Sequence, residues 1–299
     1  MKKNCGWLVV LEANECNVRL DLTVYAVNKG NHLVVQSIPS GLHYLGEGRT
    51  APIPGLWFDL QPDQVLVFIF NEALKRYDKA SLEIITKYQK LISSGAEIDN
   101  VETYVRHVDV GNSDRWVAWQ KLTKHLKMAE IPPRIHSFEA IELPVNLSLE
   151  ERKDWLLKQR TRFEQALFST HHSDPDAFLS EFEYVFITQF INPKNSEALK
   201  RWNYLVQAIY NAGERGIIKV PDLFVSLIDT LMVQFALTFD AKLKPGYIAI
   251  CGIANRVQID LVSGAEYLIE DMIDSGIEGV VEKGKEFDTY LKQRGISCY

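Results

Sequence analysis

VVQSIPSGLHYLGEGRTAPIPGLWFDL, residues 34–60, carries the turn chemistry and alternation of a small β domain. Pro39 fixes φ at the second position of a four-residue turn and Gly41 closes it at the fourth, the pattern of a type I turn that reverses the chain after Ile38. Beyond the turn, side chains alternate as in a strand, so Leu42 and Tyr44 share one face while His43 and Leu45 share the other. After the Gly- and Pro-containing segment 46–55 the alternation returns, with Leu56, Phe58 and Leu60 inward and Trp57 and Asp59 outward. Two strands and a loop are expected, with no phosphate-cradling glycine loop, nucleophile elbow or metal-ligand spacing among them.

Working outward, the β pattern covers Trp7–Leu11, Val18–Val27, His32–Ser37, Leu42–Leu45, Leu56–Leu60 and Val65–Phe70, with Asn28–Asn31 as a turn. Val65–Phe70 is apolar at every position, as a central strand covered on both faces would be. From Asp78 the period becomes helical, with Ile85, Tyr88 and Ile92 on one stripe and Gly95 placed as a cap. Ile98–Asp109 reads as an added strand. Asn112–Met128 reads as a helix started by Ser113 or Asp114, burying Trp119, Leu122 and Leu126 and stopped by Pro132 and Pro133.

From Ser148 the chain turns helical. Ser148 and Glu151 have the spacing of a capping box, and a stripe of Leu156, Phe163 and Leu167 follows to about Phe168. Further helices are expected over Pro175–Phe190 (Leu179, Phe182, Phe186, Phe190), Ser196–Asn211 (Leu199, Trp202, Val206, Ile209), Pro221–Phe239, Gly246–Gln258 and Gly264–Asp274. The expected fold is therefore α+β in two domains. An N-terminal, mainly-β sandwich or small barrel with one or two helices spans 1–136. A linker over 137–147, an all-α helical bundle over 148–275 and a tail over 276–299 follow.

A length of 299 residues suits two domains, and 46% hydrophobic content is enough for ordinary cores. A net charge of −6 gives no basic footprint, so direct nucleic-acid binding is not expected. Cys5, Cys16, Cys251 and Cys298 have neither zinc nor disulfide spacing. The N-terminal apolar run is broken by Glu12 and Asn14, and no stretch reaches the ~18–20 apolar residues of a membrane span. No cofactor, metal or membrane partner is expected, and the free protein is expected to be monomeric.

Individual residues read mostly as structure. His43 has no second ligand at metal spacing and reads as a histidine donating to a carbonyl. Trp57, Phe58 and Asp59 read as core plus surface rather than an interface patch. Glu181 and Glu183, two apart on a helix, diverge by roughly 200° and cannot form an acid/base pair. Arg152, Lys153, Lys158, Arg160 and Arg162 interleave with acidic residues as on a solvated face, and His171-His172 reads as a polar loop.

Two runs carry a family resemblance. Ile38-Pro39-Ser40-Gly41-Leu42-His43, followed by Gly55-Leu56-Trp57-Phe58, is similar to the N-terminal signature of the Aar-two (a1-alpha2 repression) splicing-factor family. Phe178-Leu179-Ser180-Glu181-Phe182-Glu183-Tyr184-Val185-Phe186, with Trp202 about twenty residues on, resembles that family's helical-domain signature. Together they cover about Val18 to Phe239; the last sixty residues match poorly. Ser180 stands where the family has Gly, and Val34-Val35-Gln36 replaces a Gly-containing approach to the turn.

The resemblance implies a non-catalytic assembly factor of the U-five small nuclear ribonucleoprotein. Its partner would be the large spliceosomal scaffold protein Prp-eight, bound through the RNase H-like and Jab/MPN domains so that helicase binding is delayed. Cytoplasmic and nuclear residence follows from that role. The resemblance also implies strand addition by the tail, for which Ile277, Val280 and Val281 are the candidates, and phosphoregulation near Ser173. Two other readings remain open: a general α-helical interaction adaptor, and an enzyme whose site is assembled from distant residues.

Overall fold

The computed structural model describes residues 4–13, 17–28, 31–47, 55–94, 105–110, 113–132, 147–191, 195–239, 257 and 261–296. The chain divides into two compact units, Met1–Gln120 with Lys127–Ile131 and Lys121–Leu126 with Pro132–Tyr299. The first is built on β1 (Cys5–Leu11), β2 (Asn17–Leu20), β3 (Thr23–Ala26), β4 (His32–Pro39), β5 (Gly41–Glu47), β6 (Leu56–Leu60), β7 (Val65–Asn71), β8 (Arg76–Lys79) and β9 (Val105–Asp109). They form a mixed sheet in the order β8-β7-β1-β4-β9 and an antiparallel sheet in the order β3-β2-β5-β6. This is a sandwich, not a barrel.

The alternation in β1 explains its central place. Leu8 and Val10 enter the core between the sheets, where they meet Val18, Leu20, Leu45, Phe58 and Leu60 of the antiparallel sheet. Val9 and Leu11 face the other way and join Ile85 and Tyr88 of helix α1 (Leu82–Ser93) in a second core. Strand β7 divides in the same manner, Leu66, Phe68 and Phe70 to one side and Val65 and Val67 to the other, so its apolar run is covered on both faces as expected. Ser81 caps α1, its side chain accepting from the Ile84 amide. Gly95 lies outside the described residues.

The turn at Pro39 does not fold a hairpin. Pro39 ends β4 opposite Cys5 in the mixed sheet, whereas Gly41 begins β5 opposite Leu60 in the antiparallel one. The chain thus passes from one sheet to the other across Ser40. Two backbone features bring this about. The β1–β4 register gains a residue between Leu8↔Val35 and Gly6↔Ile38, with Ser37 at φ 58, which is a bulge that bends the strand. Gly41 then takes φ 134, a conformation that L side chains rarely adopt.

Other boundaries also move. Val18–Val27 is two strands, not one, because Asp21 (φ 54) and Leu22 make a two-residue connection between Leu20 and Thr23. The short charged strand β8 carries little hydrophobic period and escapes a pattern reading. Helix α2 (Asp114–Leu122) is shorter than the expected Asn112–Met128, and a 3₁₀ turn occupies Met128–Glu130.

The second unit is helical: α3 (Leu149–Glu164), a π-helical turn (Gln165–Thr170), α4 (Pro175–Ile191), α5 (Ser196–Tyr210), α6 (Gly213–Lys219), α7 (Pro221–Phe239), α8 (Ala265–Asp274) and α9 (Glu278–Gln293). The capping box that opens α3 is present. The Glu151 amide donates to Ser148 Oγ, and the Ser148 amide and hydroxyl donate to Glu151 Oε2 at 2.8 and 2.6 Å. The Ser148 hydroxyl and amide bonds hold the Glu151 carboxyl below its usual range. Helix α7 is long and apolar enough to cross a membrane by composition, contrary to the sequence reading. Phe224, Leu227, Leu231 and Phe235 are nevertheless fully buried within this unit, as in the core helix of a bundle. Most of the expected helix Gly246–Gln258 and residues 137–146 of the linker lie outside the described residues.

Residues 276–299 were expected as a tail, with Ile277, Val280 and Val281 adding a strand to a partner. Instead Ile277 stands at the N-cap position of α9, without a side-chain cap bond, and Val280, Phe287 and Leu291 are buried along one stripe of it, packed on α7 and α8. The spacing from Val280 through Gly284 and Phe287 to Leu291 is helical, and it outweighs the two glycines that made the segment look interrupted.

Candidate functional site

In the sandwich the signature residues form an aromatic knot around β5 and β6. Ile38 is fully buried in the intersheet core, and Phe58 lies between the rings of His43 and Phe68. Trp57 stacks on Trp119 of α2 at 5.8 Å and meets Tyr44 edge-on, while the Trp119 indole N–H donates to the Leu42 carbonyl at 2.8 Å. Trp57 is only half-buried and Asp59 is exposed, so the core-plus-surface reading holds for this strand.

Gly55 and Gly46 make the seat of the Tyr44 ring. A Cβ on either would fall inside the ring's van der Waals envelope. The Tyr44 ring also packs edge to face with Trp57, so making room for a Cβ would disturb that contact. Gly55→Ala is expected to lower stability by roughly 1–3 kcal/mol, the range of overpacked sites. Urea unfolding checks this; a change of under about 0.5 kcal/mol, that of an ordinary surface substitution, would show the seat is not tight.

His43 is fully buried and polar on both sides. Nδ1 lies 2.8 Å from Asp21 Oδ2 and Nε2 lies 2.9 Å from the Pro39 carbonyl oxygen. The carbonyl partner is as expected from the sequence; Asp21 was not foreseen. Asp21 also accepts the Tyr44 amide at 2.8 Å. A small cavity of about 20 Å³ adjoins this pair, lined by Asp21, Thr23, Tyr25, Ser113, Arg115 and Trp116 among others. It has room for about one water molecule, not a substrate.

In the helical unit the second signature run is a buried ionic lock. Glu181, on α4 between Phe178 and Phe182, is fully buried and receives Arg201 from α5 in a bidentate pair, Nε to Oε1 at 2.5 Å and Nη2 to Oε2 at 2.8 Å. His171 Nε2 stands 2.7 Å from the same carboxylate. Burial pushes the Glu181 carboxyl up, but the hydrogen bonds and charges of His171 and Arg201 outweigh it and hold the group below its usual range. His171 is thus a buried partner rather than part of a polar loop.

Glu183 looks elsewhere. Its Oε1 is 2.6 Å from His125 Nδ1, and its Oε2 accepts the His125 amide at 3.0 Å. Here burial outweighs the His125 and Thr230 bonds and raises the carboxyl above its usual range. The two glutamates diverge to separate partners, as their spacing on a helix requires. Next to them Trp202 is fully buried, its ring 5.8 Å from Phe186 and its N–H on Gln234 Oε1 at 3.0 Å. Phe182 and Phe186 are fully buried beside it.

The loop before α4 places Ser173 in the open. Ser173 and His172 are exposed with φ 64 and 51, and the Ser173 amide donates to the Leu167 carbonyl. The helix cap is Asp174, not Ser173, since Asp174 Oδ1 accepts the Asp176 and Ala177 amides. Lys153 and Lys158 are solvated as expected; the side chains of Arg152, Arg160, Leu156 and Phe190 lie outside the described ones. Among the described residues no group of three His, Cys, Asp or Glu could hold a metal ion.

Sequence reasoning missed Arg201, His125 and Asp21, each tied to its partner across at least twenty residues. The available signal was a charge set in an apolar stripe, as Glu181 is. Comparison with curated protein sequences finds no match. Comparison with family models matches residues 137–294 to the AAR2 C-terminal repeat region, which carries the likeness well beyond the Phe239 limit of the sequence reading. That span is more than half of the chain, includes the Glu181–Arg201 lock, and ends at Arg294, the C-cap residue of α9. The protein is a member of the AAR2 family.

Proposed function

We propose that this protein is a non-catalytic splicing assembly factor that holds the Prp-eight scaffold, through its RNase H-like and Jab/MPN domains, during U-five particle biogenesis and delays helicase binding. Membership of the AAR2 family, from the match over residues 137–294, is the observation that carries the reading. The internal pairing of Glu181, Glu183 and Arg201 supports it, since these charges serve the fold rather than a substrate. The partner then meets the outer surface of the chain. Ile277–Val281 opens α9, which does not favour its use as an added strand.

Ser173 is the proposed point of control. It is exposed on a loop beside Asp174 and Asp176, and a phosphate there would add about −2 charge next to these carboxylates. Capture from nuclear or cytosolic extract tests both parts. The full chain and Ser173→Ala should retain the scaffold without the helicase, and Ser173→Glu should retain less. Capture of unrelated proteins but no scaffold would favour the adaptor reading. Equal capture by Ser173→Glu and Ser173→Ala would remove Ser173 from the account.

A further inference from the structure

We propose that His43 is a buried imidazolium at neutral pH, and that its positive charge fastens helix α2 to the antiparallel sheet. Both ring nitrogens face oxygens that have no hydrogen to give, the Asp21 carboxylate at 2.8 Å and the Pro39 carbonyl at 2.9 Å. A neutral imidazole carries one N–H and one lone pair, so it can satisfy only one of these acceptors; the doubly protonated ring satisfies both. The side chain is fully buried, where a polar group left unsatisfied is costly.

The faces of the ring are used as well as its edge. Phe58 stacks on it at 5.4 Å with an interplanar angle of 23°, and Trp116 at 4.7 Å and 17°. A cation held between two aromatic faces gains from the negative potential above each ring, most from tryptophan. Trp116 is the first-turn aromatic of α2, and Trp119, one turn later, bonds the Leu42 carbonyl. Helix α2 is thus attached at two points, and the first depends on the charge.

Asp21 comes from the β2–β3 turn and Asp59 from β6; Arg115, beside Trp116 on α2, lines the same small cavity as Asp21. Burial lowers the affinity of the ring for its proton, but Asp21, the Pro39 carbonyl and Asp59 outweigh it and raise the His43 value above the ordinary 6.5. Because the folded value is raised, the stabilisation is full below the unfolded value and is lost as pH rises through the folded one. Loss of the proton would set a lone pair against an oxygen, and the ring and Trp116 would part.

Two measurements on the full chain decide this. In a ¹⁵N-histidine correlation spectrum taken about one unit above the ordinary histidine pKa, His43 should show two protonated ring nitrogens, assigned by loss of its signals in His43→Gln. A pyridine-like shift at either nitrogen would overturn the proposal. Should His43→Gln fail to fold, tryptophan fluorescence is read against pH. The stacked imidazolium quenches Trp116, so emission should rise in an alkaline step that Trp116→Phe lacks. A step unchanged in Trp116→Phe, or none in the wild type, would equally overturn it.

Discussion

Arg201→Ala is expected to cost the helical unit about 3–5 kcal/mol, because it leaves the Glu181 carboxylate buried without its main partner. His171 alone cannot replace a bidentate guanidinium. The cost belongs to the orphaned charge rather than to the pair, and a double variant separates the two. Glu181→Leu with Arg201→Met removes both charges of the bidentate pair at similar volume and should recover most of that loss, since the desolvation of a buried pair offsets most of its attraction, less the cost of leaving the buried His171 without its carboxylate partner. Urea unfolding of the two variants beside the wild type checks this, and a double variant as unstable as Arg201→Ala would show that packing, not charge, governs the site. The same lock sets acid sensitivity. With the Glu181 value lowered in the folded state, its contribution is present above the unfolded value of about 4.5 and is lost as pH falls through the folded one. Arg201→Ala should flatten that acid limb.

Trp119→Ala should have a comparable effect on the sandwich, about 3–5 kcal/mol for truncating a fully buried tryptophan. Trp119 is 1% exposed, covers Trp57, and supplies the donor for the Leu42 carbonyl. Trp119→Phe should recover most of the packing but not the hydrogen bond, leaving about 1 kcal/mol or somewhat more unrecovered. Chemical unfolding followed by circular dichroism checks both. Equal stability of Trp119→Phe and the wild type would mean that the Leu42 carbonyl finds another donor.

These two effects fall on residues that the sequence displayed unequally. Trp119 was legible because it stands at helical spacing from Leu122 and Leu126, and Trp202, Val206 and Ile209 were legible in the same way; all are buried as expected. Periodicity reports which face is inside. It does not report what a buried charge meets, so Glu181 and Arg201, twenty residues apart on different helices, could not be paired by inspection. The sheet switch at Ser40 was hidden for a related reason. A Pro39–Gly41 turn has the same local chemistry whether the flanking strands pair with each other or with Cys5 and Leu60. Helix α9 is hard to read from sequence because Gly276 and Gly279 flank its start, ahead of the stripe of Val280, Phe287 and Leu291.

The signature residues are internal architecture, and the proposed scaffold partner is expected to meet the surface they support. Calorimetric titration of the RNase H-like and Jab/MPN domains of the scaffold into the purified full chain, and into the folded Glu181→Leu/Arg201→Met variant, tests that most directly. The expected result is that both bind with the same affinity. A folded wild type that gives no binding, or a folded variant that loses it, would contradict the account.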